Sequence, residues 1–187
     1  EAGKAYQFKY LFENAEDKEC LDLLFSNVDD PNETIDSIIS TILSQSGTFD
    51  GVKTWSDFQN ALYQQMQAGK GNNQGKEISV LSWRKFYRLF NKAYNKNREI
   101  FTDSLGTKGV RLRDKVSKIK KNEVMVIDIA KLDEESQGFV FGDVMRAVYN
   151  LKLSSDRPED EIPDRVIIFI DELNKYASTD VPKSSPI

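Results

Sequence analysis

The residues of this sequence best placed to do chemistry are two adjacent carboxylates, Asp171 and Glu172, which close the apolar run Val166-Ile167-Ile168-Phe169-Ile170. In an open α/β sheet, a buried strand that ends in acid opens onto the crevice at the strands' carboxyl ends, where ligands bind. There Asp171 would orient a magnesium ion through its waters. Glu172 would face a γ-phosphate and orient or polarise an attacking water. Asp171 is therefore the candidate metal-holding residue, and Asp171 with Glu172 forms the candidate catalytic pair. The competing reading is a core strand leaving its sheet into a polar loop; a second apolar run ending at Asp128 shows how common one terminal Asp is.

Hydrolysis of a nucleotide also needs a glycine-rich loop whose N–H groups hold the phosphates between a strand and a helix. Gly71-Asn72-Asn73-Gln74-Gly75-Lys76-Glu77 imitates one and fails on three counts. Three residues separate its glycines instead of four, Glu77 stands where a hydroxyl would meet the metal, and no strand precedes it. It reads as a flexible connector, so no nucleotide-binding residue is identified.

Composition removes other chemistries. The chain has no histidine, which excludes every His-dependent mechanism, and its one cysteine, Cys20, forms neither an internal disulfide nor a cysteine-based zinc cluster. No apolar run approaches the ~20 residues of a membrane span. A cytoplasmic protein without a membrane partner is the expectation. With 187 residues, 39% of them hydrophobic, the chain suffices for one core, with or without a helical appendage.

Charge is unevenly distributed. Between Trp83 and Lys121 thirteen Lys or Arg stand against three acids, a local charge of +10 in a chain of −4, which leaves −14 elsewhere. Arg84, Lys85, Arg88 and Lys92 alternate there with aromatics and are candidates for contact with DNA or a protein partner. Because the aromatics fall at core spacing, a solvated face or contact with acidic partner surfaces outweighs direct nucleic-acid binding on these grounds.

The elements that must position these groups follow from periodicity. Tyr6, Phe8, Tyr10 and Phe12 alternate as in a strand with one buried face. Asp30 and Pro31 open a helix in which Ile35, Ile38, Ile39, Ile42 and Leu43 share a face, and Gly47 ends it. A second helix starts near Thr54 and aligns Trp55, Phe58, Leu62 and Met66; a third starts at Ser82 with the stripe Trp83, Phe86, Tyr87, Phe90 and Tyr94. After a loop around Gly106 and Gly109, the runs 123–129 and 165–171 read as strands buried on both faces of a parallel sheet. The helix from Asp133 to Leu151 between them completes a right-handed crossover.

Taken together, three segments resemble the HerA-like branch of the HerA/FtsK ATPases. They are Val126-Ile127-Asp128-Ile129-Ala130-Lys131-Leu132, Phe139-Val140-Phe141-Gly142-Asp143-Val144-Met145-Arg146, and Ile168-Phe169-Ile170-Asp171-Glu172-Leu173-Asn174-Lys175-Tyr176-Ala177. Ile78-Ser79-Val80-Leu81-Ser82-Trp83-Arg84-Lys85-Phe86 is similar to these proteins' region between their two nucleotide motifs. The resemblance implies a RecA-like P-loop ATPase that uses ATP and Mg2+, assembles as a homohexamer and drives DNA through its pore, often with a nuclease partner. It makes Asp171 and Glu172 the Walker B pair, and no counterpart of the Walker A loop is present.

The expected architecture is therefore α/β: a partial RecA-like parallel sheet with an inserted helical bundle. Residues 1–29 would supply an N-terminal strand segment of the core, 30–121 the helical insertion, and 122–187 the βαβ part with the Walker B strand. Glu1 is not a start residue, and Ser184-Ser185-Pro186-Ile187 follows closely on a strongly patterned strand. Both ends are expected to be cuts in a longer parent, with the fragment alone binding no ATP or Mg2+ and turning over none. The alternative is a helical protein- or DNA-interaction module without enzymatic activity.

Overall fold

The computed structural model describes residues 5–26, 28–44, 47–67, 78–153 and 162–171. The order of elements is β1 (Gln7–Lys9), α1 (Ala15–Lys18), α2 (Cys20–Leu24), α3 (Thr34–Leu43), a 3-10 turn (Gly47–Phe49), α4 (Trp55–Gln67), α5 (Val80–Lys96), β2 (Gly109–Arg111), α6 (Leu112–Ser117) and α7 (Glu134–Leu153). The architecture is helix-rich and mixed, with one two-stranded parallel sheet among the described residues.

Local chemistry accounts for the helix starts. The Asp30 carboxylate accepts from the Ile35 amide ahead of α3, and the Thr54 hydroxyl accepts from the Asp57 amide at 3.0 Å ahead of α4. Ser79 caps α5 by accepting from the Ser82 amide at 3.1 Å. Each bond satisfies one donor that a first helical turn leaves without an intrahelical partner. The long third helix thus begins at Val80, two residues before the start expected at Ser82, because Ser79 is the cap. Asp103 adds a bond from far along the chain, accepting from the Trp55 amide at 2.7 Å.

The buried faces of these helices meet in one aromatic core. Trp55, Phe58, Trp83, Phe86 and Phe90 are almost wholly excluded from solvent. Phe12 stacks on Phe58 with ring centroids 4.4 Å apart, and Trp55 stacks on Phe90 at 6.0 Å. Phe139 and Val140 of α7 belong to the same cluster, so it spans the expected insertion and both segments flanking it. Aromatic residues bury the most area per side chain, which lets a chain of this size close one core around a few of them.

The sheet lies elsewhere than expected. β1 pairs in parallel with β2, in the register Gln7↔Gly109, Phe8↔Val110 and Lys9↔Arg111, and a bridge joins Tyr10 to Phe101. β2 occupies the stretch read from sequence as loop. Gly109 is needed there because a Cβ would collide with the Leu105 carbonyl.

Among the described residues, by contrast, 123–129 and 165–171 form no ladder, and the crossover expected through α7 is not built. Nor are these runs buried on two faces. Val124 and Val126 are 88% and 86% exposed, while Met125, Ile127 and Ile129 pack against the core. Ile167 and Phe169 are 76% and 92% exposed. The physical reason is that a continuous apolar run states affinity for burial, whereas a two-sided strand also needs neighbouring backbone on both edges.

Candidate functional site

Three features could carry function. The first is the carboxylate end of the run 165–171. Asp171 is exposed in the turn that closes this run, with no hydrogen bond or ion pair among the described residues. Glu172 lies outside the described residues, as does the glycine-rich segment 71–77. Asp128 ends its run differently, because its Oδ1 accepts from the Ala130 amide at 3.0 Å and so closes its own turn. Of the two terminal aspartates, Asp128 is thus used by the backbone and Asp171 presents its carboxylate outward.

Among the described residues no three Cys, Asp or Glu side chains converge as a protein-only metal cage would require. A lone exposed carboxylate suits a different arrangement. Mg2+ keeps several waters and takes one or two carboxylates together with substrate phosphates.

The second feature is the outward face of α5. This helix carries five cations, Arg84, Lys85, Arg88, Lys92 and Lys96, and no acid. Part of its aromatic stripe is turned inward: Trp83 is 1% exposed and Phe86 and Phe90 are fully buried, whereas Tyr87 and Tyr94 are half-buried and the Tyr87 ring lies 6.3 Å from that of exposed Tyr63. Arg84, Lys85, Arg88 and Lys92 are all exposed. Lys92 and Lys96 share one partner, Glu135 of α7, at 3.5 and 3.3 Å. Arg84, Lys85 and Arg88 make no ion pair among the described residues. The helix period brings Arg84, Lys85 and Arg88 onto one side within about 6 Å of axial rise.

Elsewhere in the basic segment the charge is engaged in part, with Lys108, Lys118 and Lys120 making no ion pair among the described residues. Arg111 meets Glu13 at 2.6 Å and Asp17 at 3.4 Å, Lys121 meets Asp164 at 3.5 Å, and Lys115 and Arg98 lie over the rings of Tyr6 and Tyr94. The +10 excess read from the sequence therefore leaves the first half of α5 as its free concentration on a helix.

The third feature escaped the sequence reading. Asp143, on α7, is completely buried. Its Oδ1 accepts from Arg113 Nε at 2.6 Å, and its Oδ2 accepts from the Tyr10 hydroxyl at 3.1 Å. Arg113 Nη1 also donates to the Glu16 carbonyl at 2.8 Å and lies 3.6 Å from Glu19. A small cavity of about 30 Å³ adjoins these groups, lined by Tyr10, Cys20, Arg111, Arg113 and Asp143 among others, and it has room for about one water. It is formed by groups other than the two candidate carboxylates.

Burial, reinforced by Asp143, pushes the Tyr10 hydroxyl well above its ordinary pKa, and the same two causes push the Cys20 thiol up. Both therefore hold their protons near neutrality, and neither acts as a nucleophile there. For Arg113, burial works against its charge, but the carboxylate of Asp143 outweighs it and the guanidinium is held above its usual range. The cluster is best described as a polar clasp fastening β1 and α6 to α7. A signal for it exists in the sequence: Asp143 falls four residues after Phe139 and three after Val140, placing an acid on an apolar helical stripe.

Among the described residues no helix is long and apolar enough to cross a membrane. No protein-family model, curated protein or solved structure matches the chain.

Proposed function

We propose that this chain is part of an ATP-driven DNA translocase of the HerA type, and that it contributes the carboxylates that orient Mg2+ and water. The observation that supports this reading is Asp171, exposed at the end of an apolar run with its carboxylate unengaged among the described residues. In this role Asp171 holds the ion through water, and Glu172 aligns the attacking water and accepts its proton. The ion itself supplies neutralisation of charge on the nucleotide's phosphates. A phosphate-binding loop from the longer parent completes the site, and the runs 123–129 and 165–171 enter a RecA-like sheet when its other strands lie beside them. The parent is a homohexamer that acts on DNA, with a nuclease as partner.

The test is Glu172→Gln in the parent protein, which retains size and polarity but cannot take a proton. ATP turnover falls by ~100-fold or more while nucleotide binding persists, since general-base catalysis contributes about 10²–10⁴-fold. Turnover as fast as that of the unaltered protein would show the assignment of Glu172 to be wrong.

A further inference from the structure

We infer that Asp50-Gly51 is a site of covalent self-modification, at which the chain rearranges through a cyclic succinimide to a β-linked isoaspartate. The reaction joins the main-chain nitrogen of one residue to the side-chain carboxyl carbon of the aspartate before it, so both groups must be unengaged and the nitrogen uncrowded. Both conditions are met here.

Asp50 and Gly51 are exposed in the turn that follows the 3-10 segment Gly47–Phe49. The Asp50 amide donates to the Gly47 carbonyl at 3.1 Å, whereas its carboxylate has no hydrogen bond or ion pair among the described residues. The Gly51 amide has no hydrogen-bond partner among them either. Gly51 adopts φ +68°, and a Cβ built on it would meet no atom within 4 Å, so nothing walls off the attacking nitrogen. That left-handed conformation is also the reason a glycine follows the aspartate. The sequence holds no other Asp-Gly pair and no Asn-Gly pair. Asp103, Asp128 and Asp143 differ in both respects, because a residue with a side chain follows each and their carboxylates already accept hydrogen bonds.

The step balances with water as the sole co-reactant. The Gly51 nitrogen bonds to Asp50 Cγ, and the carboxyl hydroxyl departs with the amide proton as water. Water then adds at Cγ, which restores aspartate, or at the Asp50 main-chain carbonyl carbon, which routes the chain through the side chain and frees the α-carboxylate. Nothing is oxidised or reduced. The β-linkage places one more backbone carbon between Phe49 and Val52, both buried and joined by a bond from the Val52 amide to the Phe49 carbonyl at 3.5 Å. Phe49 in turn stacks on Trp83 with ring centroids 5.7 Å apart, so the change reaches the edge of the aromatic core.

The experiment is to hold the folded chain at physiological temperature for several weeks, in mildly acidic and in mildly alkaline buffer, and to map the products by peptide mass spectrometry. The free α-carboxylate is counted by methyl transfer from S-adenosylmethionine with an isoaspartyl methyltransferase. The peptide containing Asp50 should yield a second isomer of identical mass, with a precursor lighter by one water, and more of both in the acidic buffer. Asp50 should carry at least ~10-fold more isoaspartate than any other aspartate, the ratio given by a barrier lower by about 1.4 kcal/mol. Asp50→Glu, an exposed and conservative change, should lower methyl acceptance by the whole chain by a similar ~10-fold factor. The inference is overturned if that variant accepts methyl groups as well as the original does. It is equally overturned if the folded chain stays unmodified while a short Phe-Asp-Gly-Val peptide isomerises, since the fold would then be holding the two groups apart.

Discussion

Replacing Asp143 with Ala removes a carboxylate that has no solvent exposure and serves two partners at once, Arg113 at 2.6 Å and Tyr10 at 3.1 Å. Taking away one member of a buried ion pair costs about 3–5 kcal/mol, most of it from the charge left without a partner. Arg113 keeps 24% side-chain exposure and can turn toward Glu19, 3.6 Å away, so the lower end, ~3 kcal/mol, is expected. For a protein of this length each kcal/mol lowers Tm by about 2–4 °C, which gives a drop of roughly 6–12 °C. Asp143→Asn keeps an oxygen acceptor and should lose about half as much. The double variant R113M/D143A should be less damaged than the two single losses added together, because no charge is then left stranded. Far-ultraviolet circular dichroism melts with urea titrations measure all four. A D143A protein melting within ~2 °C of the original would refute the view that this clasp fastens the sheet to α7.

Two other outcomes follow from the geometry. Gly109→Ala should destabilise the chain by ~2 kcal/mol or more, since its Cβ meets the Leu105 backbone where β2 joins β1; a melt unchanged from the original would contradict this. Stability should also fall on the alkaline side. Tyr10 and Cys20 both bind their protons more tightly in the folded chain, so the unfolded chain releases them first as pH rises. Their contribution is complete below about pH 8.5 and is lost above it, first for Cys20 and then, near pH 10, for Tyr10. Urea unfolding at pH 7 and pH 10 should show a smaller alkaline loss in Cys20→Ala and Tyr10→Phe than in the original chain.

Helices α3, α4, α5 and α7 were legible because their signals are local, whereas the short helices α1, α2 and α6 were not read from the sequence. The Ile35, Ile38, Ile39 and Ile42 spacing lies within one stretch of chain and α3 forms over it, although the helix starts at Thr34 after N-cap Glu33 rather than at Pro31, with Asp30 in the preceding turn bonding the Ile35 amide. The expected strand around Phe8 exists only as a short piece, with Tyr6 about half exposed, because its pairing partner is far away at Gly109–Arg111. Nothing near Gly109 advertises that pairing, and a glycine there reads as a loop. The runs 123–129 and 165–171 were overread for a related reason. Their composition matches a parallel-sheet core, but composition specifies no neighbour, and Val124, Val126 and Phe169 stand largely exposed.

Of the candidate site, the free charge on α5 was legible because aromatics at core spacing leave the opposite face to Arg84, Lys85 and Arg88. The Asp143 clasp was not, because it joins residues 30 and 133 positions apart. Only the acid on the apolar stripe of α7 hinted at it. For Asp171 the sequence supplied the chemistry and the structure adds its exposure, with Asp128 separated from it by a bond to Ala130.

The aromatic core also decides what light can report about this chain. Its two tryptophans, Trp55 and Trp83, are 0% and 1% exposed, and both sit against phenylalanine rings of the helical core. Emission from the native chain should therefore be blue-shifted and resistant to quenching by iodide, and it should shift red when this core opens. The run ending at Asp171 contains no indole. It could rearrange, or acquire neighbouring strands, without altering a tryptophan spectrum, so an optical probe of that region would have to be introduced, with Phe169 as the natural position.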